Sequence, residues 1–114
     1  MIDEITLAKM ADTLAIASDQ TRLKILLCLL GDDFPLNGCH HCALDEKLPD
    51  VERNVSQIVA YTGASQSLVS HQLRILKDAN LISSRRDGRM VYYFLLDGHV
   101  KELVEVVLEH VTEE

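Results

Sequence analysis

The sequence of 114 residues predicts a single α+β domain that is mostly helical. Two kinds of pattern indicate this fold class. Five segments carry helical periodicity or helix-capping residues, and two short segments flank an Asp-Gly pair, which is typical of a hairpin. A chain of this length buries roughly two-thirds of its unfolded surface, so we expect it to fold without disulfide or metal staples.

Two helices are predicted at the N-terminus. Apolar residues from Ile2 to Ala17 follow a helical period, and Ser18 or Asp19 can cap a second helix from about Gln20 to Leu30. The second helix has almost no polar face, which places it at the centre of the core. Cys28 lies among these apolar residues, and we expect it to be a core thiol.

Residues 31–53 break this pattern and predict an inserted loop with room for one short helix. The segment contains both prolines, the pair Asn37-Gly38 and the run Cys39-His40-His41-Cys42. A loop of this length is uncommon in a compact domain and is either functional or mobile.

A helix-turn-helix is predicted from Asn54 to Ala79. Asn54 and Gln57 have the spacing of a capping box, Gly63 suits the left-handed residue that ends the first helix, and Ser65 caps the second. The residues expected on the inner side of the second helix are Val69, Leu73 and Leu76. The outer side has no acid before Asp78 and presents Ser67, Ser70, His71, Arg74 and Lys77.

A two-stranded hairpin and a last helix follow. The strands are predicted from Leu81 to Arg86 and from Met90 to Leu95, with the turn at Asp87-Gly88. A helix-turn-helix followed by a hairpin with arginines at its tip is a winged helix, and the hairpin is its wing. The last helix is predicted from Asp97, its cap, to about Val111.

The charges are divided unevenly along the sequence. The net charge is −7, but residues 65–96 hold five basic and two acidic residues, a local +3, and the remainder holds six basic and sixteen acidic ones, or −10. A basic stretch on an acidic body can turn one face toward phosphate while the rest repels it. The pattern predicts a nucleic-acid-binding face, and an ordinary solvated face is the alternative.

This face has residues for base recognition and for phosphate contact. The major groove admits one helix, where short polar side chains reach base edges and arginine pairs with guanine. The residues expected to contact DNA from that helix are Gln66, Ser67, Ser70, His71, Arg74 and Lys77. The wing arginines Arg85, Arg86 and Arg89 would neutralise phosphates or enter the minor groove. Double-stranded DNA is therefore the expected partner.

The last helix carries candidate metal ligands at both ends. Asp97 and His99 open it, and His110 and Glu113 close it. The two histidines share a face but lie roughly 16 Å apart along the axis, too far for one ion. Two copies of the helix packed antiparallel in a homodimer would join the first pair of one chain to the second pair of the other. The spacing thus predicts two symmetric sites between subunits.

The type of ligand predicts the metal. Four nitrogen and oxygen ligands without a thiolate favour zinc or cobalt, with zinc as the first choice. Nickel is a further alternative, which this ligand set disfavours if nickel demands six ligands. The other interpretation is that Asp97 only caps the helix, the histidines face solvent or the dimer interface, and Glu113 belongs to the tail.

Cysteine content and the N-terminal residues predict a soluble, cytoplasmic protein. The count of three cysteines argues against a secreted disulfide framework. The start, Met1-Ile2-Asp3-Glu4, lacks the basic region of a secretion signal, and the longest apolar run, Ile25 to Leu30, is too short to span a membrane.

Three stretches resemble the ArsR/SmtB family of metal-sensing repressors. Ser18 to Leu26 resembles the start of the family's second helix, Ser65 to Leu73 its recognition helix, and Arg85 to Tyr93 its wing. The four ligands of the last helix match the site of the zinc-sensing members, spacing included. The resemblance implies a dimer, formed by the N- and C-terminal helices, that binds an operator palindrome without metal and is released by metal to free a metal transport or resistance gene.

Two features depart from the family. Residues 55–58 offer no thiolate, so the soft-metal site of other members is not carried over. Residues 32–52 look like an insertion, and its Cys39, His40, His41 and Cys42 can supply part of a second metal site. Otherwise this run is a mobile loop or a thiol pair that senses oxidation.

Three competing functions follow from these features. One is a repressor that senses redox state or metal through Cys39 and Cys42, and another is a dimeric DNA-binding module without an effector. The third is an enzyme, which we do not expect. Four consecutive residues cannot orient a nucleophile, a base and an acid together, and no phosphate-binding or nucleophile-elbow motif is present.

Overall fold

The computed structural model describes residues 1–31 and 51–113 of the chain. These ranges contain five α-helices and one antiparallel sheet of two strands. The helices are α1 (Glu4–Ala17), α2 (Gln20–Leu30), α3 (Val55–Thr62), α4 (Gln66–Asp78) and α5 (Gly98–Thr112), and the strands are β1 (Ile82–Asp87) and β2 (Met90–Leu95). The order of these elements confirms the predicted winged helix-turn-helix. No helix in the described ranges is long and apolar enough to cross a membrane.

Short polar side chains set the start of every described helix. The N-cap residues of α1 to α5 are Asp3, Asp19, Asn54, Ser65 and Asp97, and each side chain accepts a hydrogen bond from an amide of the first turn. The capping box is present in both directions, because Asn54 and Gln57 each accept from the other's N–H at 2.9 Å. α1 begins two residues later than its apolar pattern predicts, since Asp3 caps it.

The core forms where α2, α3 and α4 pack against one another. Ile25 and Leu26 of α2 and Ile58 of α3 are fully buried. They meet the inner side of α4, where Val69, Leu73 and Leu76 are buried as predicted. Cys28 is 3% exposed, which confirms the expected core thiol. α2 is therefore the central helix, as its almost continuous apolar sequence predicts.

The hairpin turns one residue later than the sequence predicts. The register of β1 and β2 sets Asp87 opposite Met90, so the two residues between them are Gly88 and Arg89. Gly88 has a φ of +64°, in the left-handed region that glycine adopts without steric cost. The glycine is therefore the first residue of the turn, and Asp87 remains in the strand.

The predicted loop ends before Arg53, because this residue pairs with the free edge of β2. The Arg53 N–H donates to the carbonyl of Tyr93 at 3.0 Å, and the Tyr93 N–H donates to the carbonyl of Arg53 at 2.8 Å. β2 thus has a neighbouring segment on both edges at Tyr93, with Ser84 of β1 on one side and Arg53 on the other. Residues 32–50 of the predicted loop lie outside the described residues.

Candidate nucleic-acid interface and metal ligands

α4 presents a polar face to solvent. Its inner side is fixed by Val69, Leu73 and Leu76 in the core, so the opposite side must point outward. The exposed residues predicted to contact DNA from this helix are Gln66, Ser67, Ser70, His71, Arg74 and Lys77. Their outward position agrees with the sequence analysis, and their contact with DNA stays a prediction.

A short turn of local hydrogen bonds sets the direction in which α4 leaves α3. Gly63 has a φ of +76° and ends α3 in the left-handed conformation. The Thr62 Oγ1 accepts from the Ala64 N–H at 3.2 Å, and the Ser65 Oγ accepts from the Leu68 N–H at 3.1 Å. Because each contact spans only a few residues, the sequence itself determines this turn.

Arg22 connects α4 to the end of α1. Its Nη1 donates to the Oε1 of Gln72 at 2.6 Å, and its Nε donates to the carbonyl of Ile16 at 2.6 Å. Gln72 is only 9% exposed and lies on the buried side of α4. These two residues position the DNA-facing helix although neither was predicted to. The spacing of Gln72 from Val69 and Leu76 is the signal that places it inward.

The three wing arginines differ in their surroundings. Arg86 and Arg89 are exposed at the tip. Arg85 instead donates from Nε to the Oε1 of Glu52 at 2.9 Å, and its Nη2 forms an ion pair with the same oxygen at 2.7 Å. The Cζ of Arg85 lies 5.1 Å from the centre of the Tyr92 ring. The hydrogen bond to Arg85 lowers the pKa of Glu52, and the same contact raises the pKa of Arg85. No local pattern marks Glu52 as a partner, because it precedes Arg85 by 33 residues.

The wing and α4 adjoin one cleft. The Lys77 Nζ donates to the Oγ of Ser84 on β1 at 2.8 Å, which links the two elements directly. An open cleft of about 640 Å³ is lined by residues of both elements and of the link between them: Ser70, Leu73, Arg74, Lys77, Asp78, Asn80 and Tyr93. The two elements predicted to contact DNA therefore form one continuous surface.

The ends of α5 place the four candidate metal ligands in two pairs. The Asp97 Oδ1 accepts from the Val100 N–H at 3.1 Å as the helix cap, which leaves Oδ2 at 3.7 Å from the Nδ1 of His99. The His99 side chain is 94% exposed. His110 is exposed in the last turn, and Glu113 is the C-cap. The structure thus brings Asp97 and His99 together at the start of α5. His110 and Glu113 lie at its C-terminal end.

The pair at the start of α5 fits two neighbouring positions around one metal ion. Two ligand atoms at about 2.0 to 2.2 Å from a tetrahedral ion lie about 3.3 to 3.6 Å apart, close to the 3.7 Å between Asp97 and His99. Within residues 1–31 and 51–113, no three His, Cys, Asp or Glu side chains lie close enough to hold a metal. Since the second pair is roughly 16 Å away along the axis, a site that joins both pairs requires a second chain.

The other predicted metal or redox site falls in the undescribed segment. Its residues Cys39, His40, His41 and Cys42 lie outside the described residues.

The sequence is similar to bacterial regulatory proteins. Residues 46–84 match the family described as "Bacterial regulatory protein, arsR family". The chain is 30% identical over 109 residues to the HTH-type transcriptional regulator NmtR of Mycobacterium tuberculosis, which covers 96% of this chain and 75% of that protein.

Two further relatives are matched over part of their length. The transcriptional repressor SmtB homolog of Synechocystis sp. is 48% identical over 59 residues, 52% of this chain and 45% of that protein. The cadmium resistance transcriptional regulatory protein CadC homolog of Staphylococcus aureus is 37% identical over 93 residues, 82% of this chain and 62% of that protein. The chain therefore spans less than two thirds of both proteins. All three relatives are transcriptional regulators, which agrees with the expectation that the chain is not an enzyme.

Solved structures with this fold agree with these similarities. The homodimeric winged helix-turn-helix DNA-binding domain of Mb0332 from Mycobacterium bovis superposes with a TM-score of 0.71 at 25% identity, over 95% of this chain and 86% of that one. The solution structure of apo-NmtR also has a TM-score of 0.71, at 28% identity, over 100% of this chain and 80% of that one. Both similarities confirm the winged helix-turn-helix fold.

Proposed function

Because the chain belongs to the ArsR family of bacterial regulatory proteins, we propose that it is a cytoplasmic, metal-responsive transcriptional repressor. A homodimer of single-domain chains binds operator DNA, and a divalent metal, with zinc as the first choice, lowers that affinity and derepresses a metal transport or resistance gene. The observation that carries this proposal is the polar face of α4 joined to an arginine-tipped wing by the Lys77–Ser84 contact. A relative named for cadmium resistance supports a metal effector.

The proposed DNA surface divides base recognition from phosphate contact. α4 has 13 residues and is about 20 Å long, which suits the major groove. Ser67, Ser70 and His71 would reach base edges, and Arg74 would pair with guanine. Arg86 and Arg89 would contact phosphates or the minor groove from the wing tip. The acidic remainder of the chain would favour this orientation, because it repels the DNA backbone.

A second copy of the chain would cover the apolar surface of α1 and α5. No residue of α1 is buried, and Leu7 and Leu14 are more than half exposed. On α5, Val107 is 49% exposed and Val111 is 68% exposed. A helix of 14 residues is marginally stable alone in water, so burial of these side chains by a partner would add to the contacts that α1 makes with α2 and α4. The homodimeric state of the Mycobacterium bovis domain supports the same arrangement.

Each proposed metal site joins the two subunits. Asp97 and His99 of one chain would meet the partner's His110 and Glu113, and the bound ion would supply a crosslink between the two copies of α5. Such a crosslink biases the angle between the two copies of α4 and so disfavours their joint fit to DNA. A coupling of about 1 to 3 kcal/mol, typical of allostery, weakens DNA binding about 5- to 150-fold.

A zinc titration tests the proposal. Zinc is added to the metal-free protein on a palindromic operator fragment at fixed salt, and release is followed by fluorescence anisotropy. We expect release to be complete at one metal per chain and to be lost in His110→Ala. The matched control is Glu109→Gln, a neighbouring exposed acid of α5 that is outside the predicted site. If zinc still releases the DNA from His110→Ala, the α5 site is contradicted. If zinc no longer releases the DNA from Cys39→Ala/Cys42→Ala, the sensing site lies at these two cysteines instead.

Mixed dimers test whether the site lies between subunits. His99→Ala and His110→Ala chains should each bind no zinc at this site when alone. A heterodimer of the two variants keeps one intact site, because one chain retains His99 and the other retains His110. We expect zinc binding to return when the variants are mixed and refolded together. Binding that stays absent in the mixture would contradict an intersubunit site.

A further inference from the structure

Arg85 is held by two neighbouring side chains of the described chain. Its Nε donates to one oxygen of Glu52, its Nη2 forms an ion pair with the same oxygen, and the guanidinium lies over the ring of Tyr92 at 5.1 Å. The exposed fractions of the Arg85 and Glu52 side chains are 49% and 32%. The side chains of Arg86 and Arg89 make no ion pair or hydrogen bond with the described part of the chain. Arg85 therefore differs from the other two arginines of the wing in having its charge already matched.

The main chain next to Glu52 is held against the edge of β2. The next residue, Arg53, forms two hydrogen bonds with Tyr93 on the outer edge of β2. β1 pairs with the opposite edge of β2, and Arg85 lies opposite Tyr92 in that pairing. Glu52 thus reaches across β2 to a residue of β1. The contact ties together the start of α3 and both strands of the wing.

We infer that Arg85 is a positioning residue of the wing rather than a phosphate contact. Glu52, Arg85 and Tyr92 form a cluster, the wing clamp, that sets the angle at which Arg86 and Arg89 approach DNA. A guanidinium paired at 2.7 Å must lose its carboxylate before it can serve a phosphate fully. The inference rests on the proposed DNA-binding function. It assigns Arg85 a role different from that of Arg86 and Arg89, although the sequence alone predicts the same role for all three.

Glu52→Gln distinguishes a positioning role of Arg85 from a phosphate contact, because the two roles predict opposite changes in operator affinity. Glutamine keeps the shape of the side chain but loses its charge. If the clamp positions the wing, operator affinity falls about two- to fivefold, as expected for a partly exposed ion pair. The slope of log K against log salt concentration stays unchanged, because no phosphate contact is lost. If Arg85 instead contacts phosphate, Glu52→Gln frees it, and affinity rises. A rise in affinity would overturn the inference.

Arg85→Lys provides the second comparison. Lysine keeps the positive charge and can serve a phosphate, but it cannot form the forked hydrogen bond or the same stacking on Tyr92. We expect Arg85→Lys to weaken binding as much as Glu52→Gln, and the double variant to bind no worse than either single one. Wild-type affinity in Arg85→Lys would overturn the inference.

Arg86→Ala is the matched control for a true phosphate contact. It should make the slope of log K against log salt concentration less steep by about 0.9 for each lost phosphate contact, or by about 1.8 for a dimer that makes the contact twice. Arg85→Ala should leave the slope unchanged, and a similar loss of slope there would overturn the inference. A wild-type protein that binds no operator palindrome would instead overturn the proposed function, and with it the DNA role of the clamp.

Hydrogen exchange tests the clamp itself without DNA. The Tyr93 amide is bonded to Arg53, next to Glu52, so we expect it to exchange faster in Glu52→Gln than in the wild-type protein. Circular dichroism melting of each variant establishes that it remains folded. An unchanged exchange rate of the Tyr93 amide in a folded Glu52→Gln variant would overturn the inference.

Discussion

At the residue scale, the DNA-facing elements are held by polar contacts between residues that lie far apart in the sequence. Arg22 meets Gln72 across 50 positions, and Arg85 meets Glu52 across 33. The first contact holds α4 against the end of α1, and the second holds the wing against the start of α3. Both use an arginine, whose fixed fork can serve two acceptors or pair twice with one. These two contacts, together with the Lys77–Ser84 hydrogen bond, help to fix the geometry of the proposed DNA surface.

Replacing Gln72 by leucine should destabilise the fold. The change removes the acceptor of the Arg22 Nη1 and leaves a partly buried charged donor without its partner. We expect a loss of about 1.5 to 3 kcal/mol, the usual range for a hydrogen bond to a charged group. Urea unfolding followed by circular dichroism measures it. Gln66→Leu, an exposed position of the same helix, should stay within about 0.5 kcal/mol. Equal effects of the two variants would contradict a special role for Gln72.

The stability from the Glu52–Arg85 contact should depend on pH. The pKa of Glu52 in the folded chain lies below its ordinary value of 4.5, so the contact stabilises fully above that value and is lost as the pH falls through the lowered pKa. The same contact raises the pKa of Arg85 above its ordinary value, so this residue stays charged throughout. We expect the Tm difference between wild type and Glu52→Gln to be largest near neutral pH and to shrink as the pH falls below 4.5 and through the lowered pKa of Glu52. A difference that is the same at both ends of this range would count against the contact.

At the element scale, each helix begins at a residue that the sequence marks. All five N-caps are aspartate, asparagine or serine, and glycine follows the last residue of both α2 and α3. α3 has only eight residues, so it depends on its ends more than the longer helices do. Its capping box follows directly on the segment that pairs with β2. A weakened cap would therefore loosen both the first helix of the helix-turn-helix and the base of the wing.

Asn54→Ala tests this dependence. The variant removes the cap of α3, and we expect it to cost about 1 kcal/mol, with a range of about 0.5 to 2 kcal/mol. Chemical denaturation measures the loss. Asn54→Asp keeps an oxygen that can accept from the Gln57 N–H and should remain close to wild type. If aspartate costs as much as alanine, the effect does not come from the cap.

At the scale of the whole molecule, the described residues form two distinct surfaces. A basic one is formed by α4 and the wing, and an apolar one by α1 and α5. The apolar surface includes Val107 and Val111 of α5, the helix that carries the candidate metal ligands at its ends. A dimer through this surface would bring the ligand pairs of two chains together. Dimerisation and metal binding are therefore coupled in the proposed function.

Val107→Asp should separate the proposed dimer. The carboxylate would be buried against apolar side chains of the partner without a countercharge, which strongly disfavours association. Sedimentation at micromolar concentration should show a dimer for wild type and a monomer for the variant, with tight operator binding lost. Lys101→Asp on α5, exposed and outside the apolar surface, should remain a dimer. A dimeric Val107→Asp protein would place the interface elsewhere.

The sequence by itself determined the features that depend on neighbours a few positions away. The caps at Asn54 and Ser65, the left-handed Gly63, the inward apolar side of α4 and the two strands of the wing all follow from local patterns, because turns and helical periods need only nearby residues. The pairing of Asp97 with His99 at one end of α5 follows in the same way. These features were sufficient to predict the winged helix-turn-helix, whereas the family was indicated by the resemblance of three stretches of sequence and of the four ligands in the last helix.

Only the tertiary structure decided which polar groups meet across the fold. The Arg53–Tyr93 pairing, the Arg22–Gln72 hydrogen bond and the separation of Arg85 from Arg86 and Arg89 join segments that are distant in the sequence. The turn of the wing moved by one residue because the register of two paired strands, not the dipeptide alone, sets its position. The physical reason is that packing of the apolar core brings these groups within hydrogen-bond distance. A pattern of neighbouring residues cannot predict which groups from distant segments will meet.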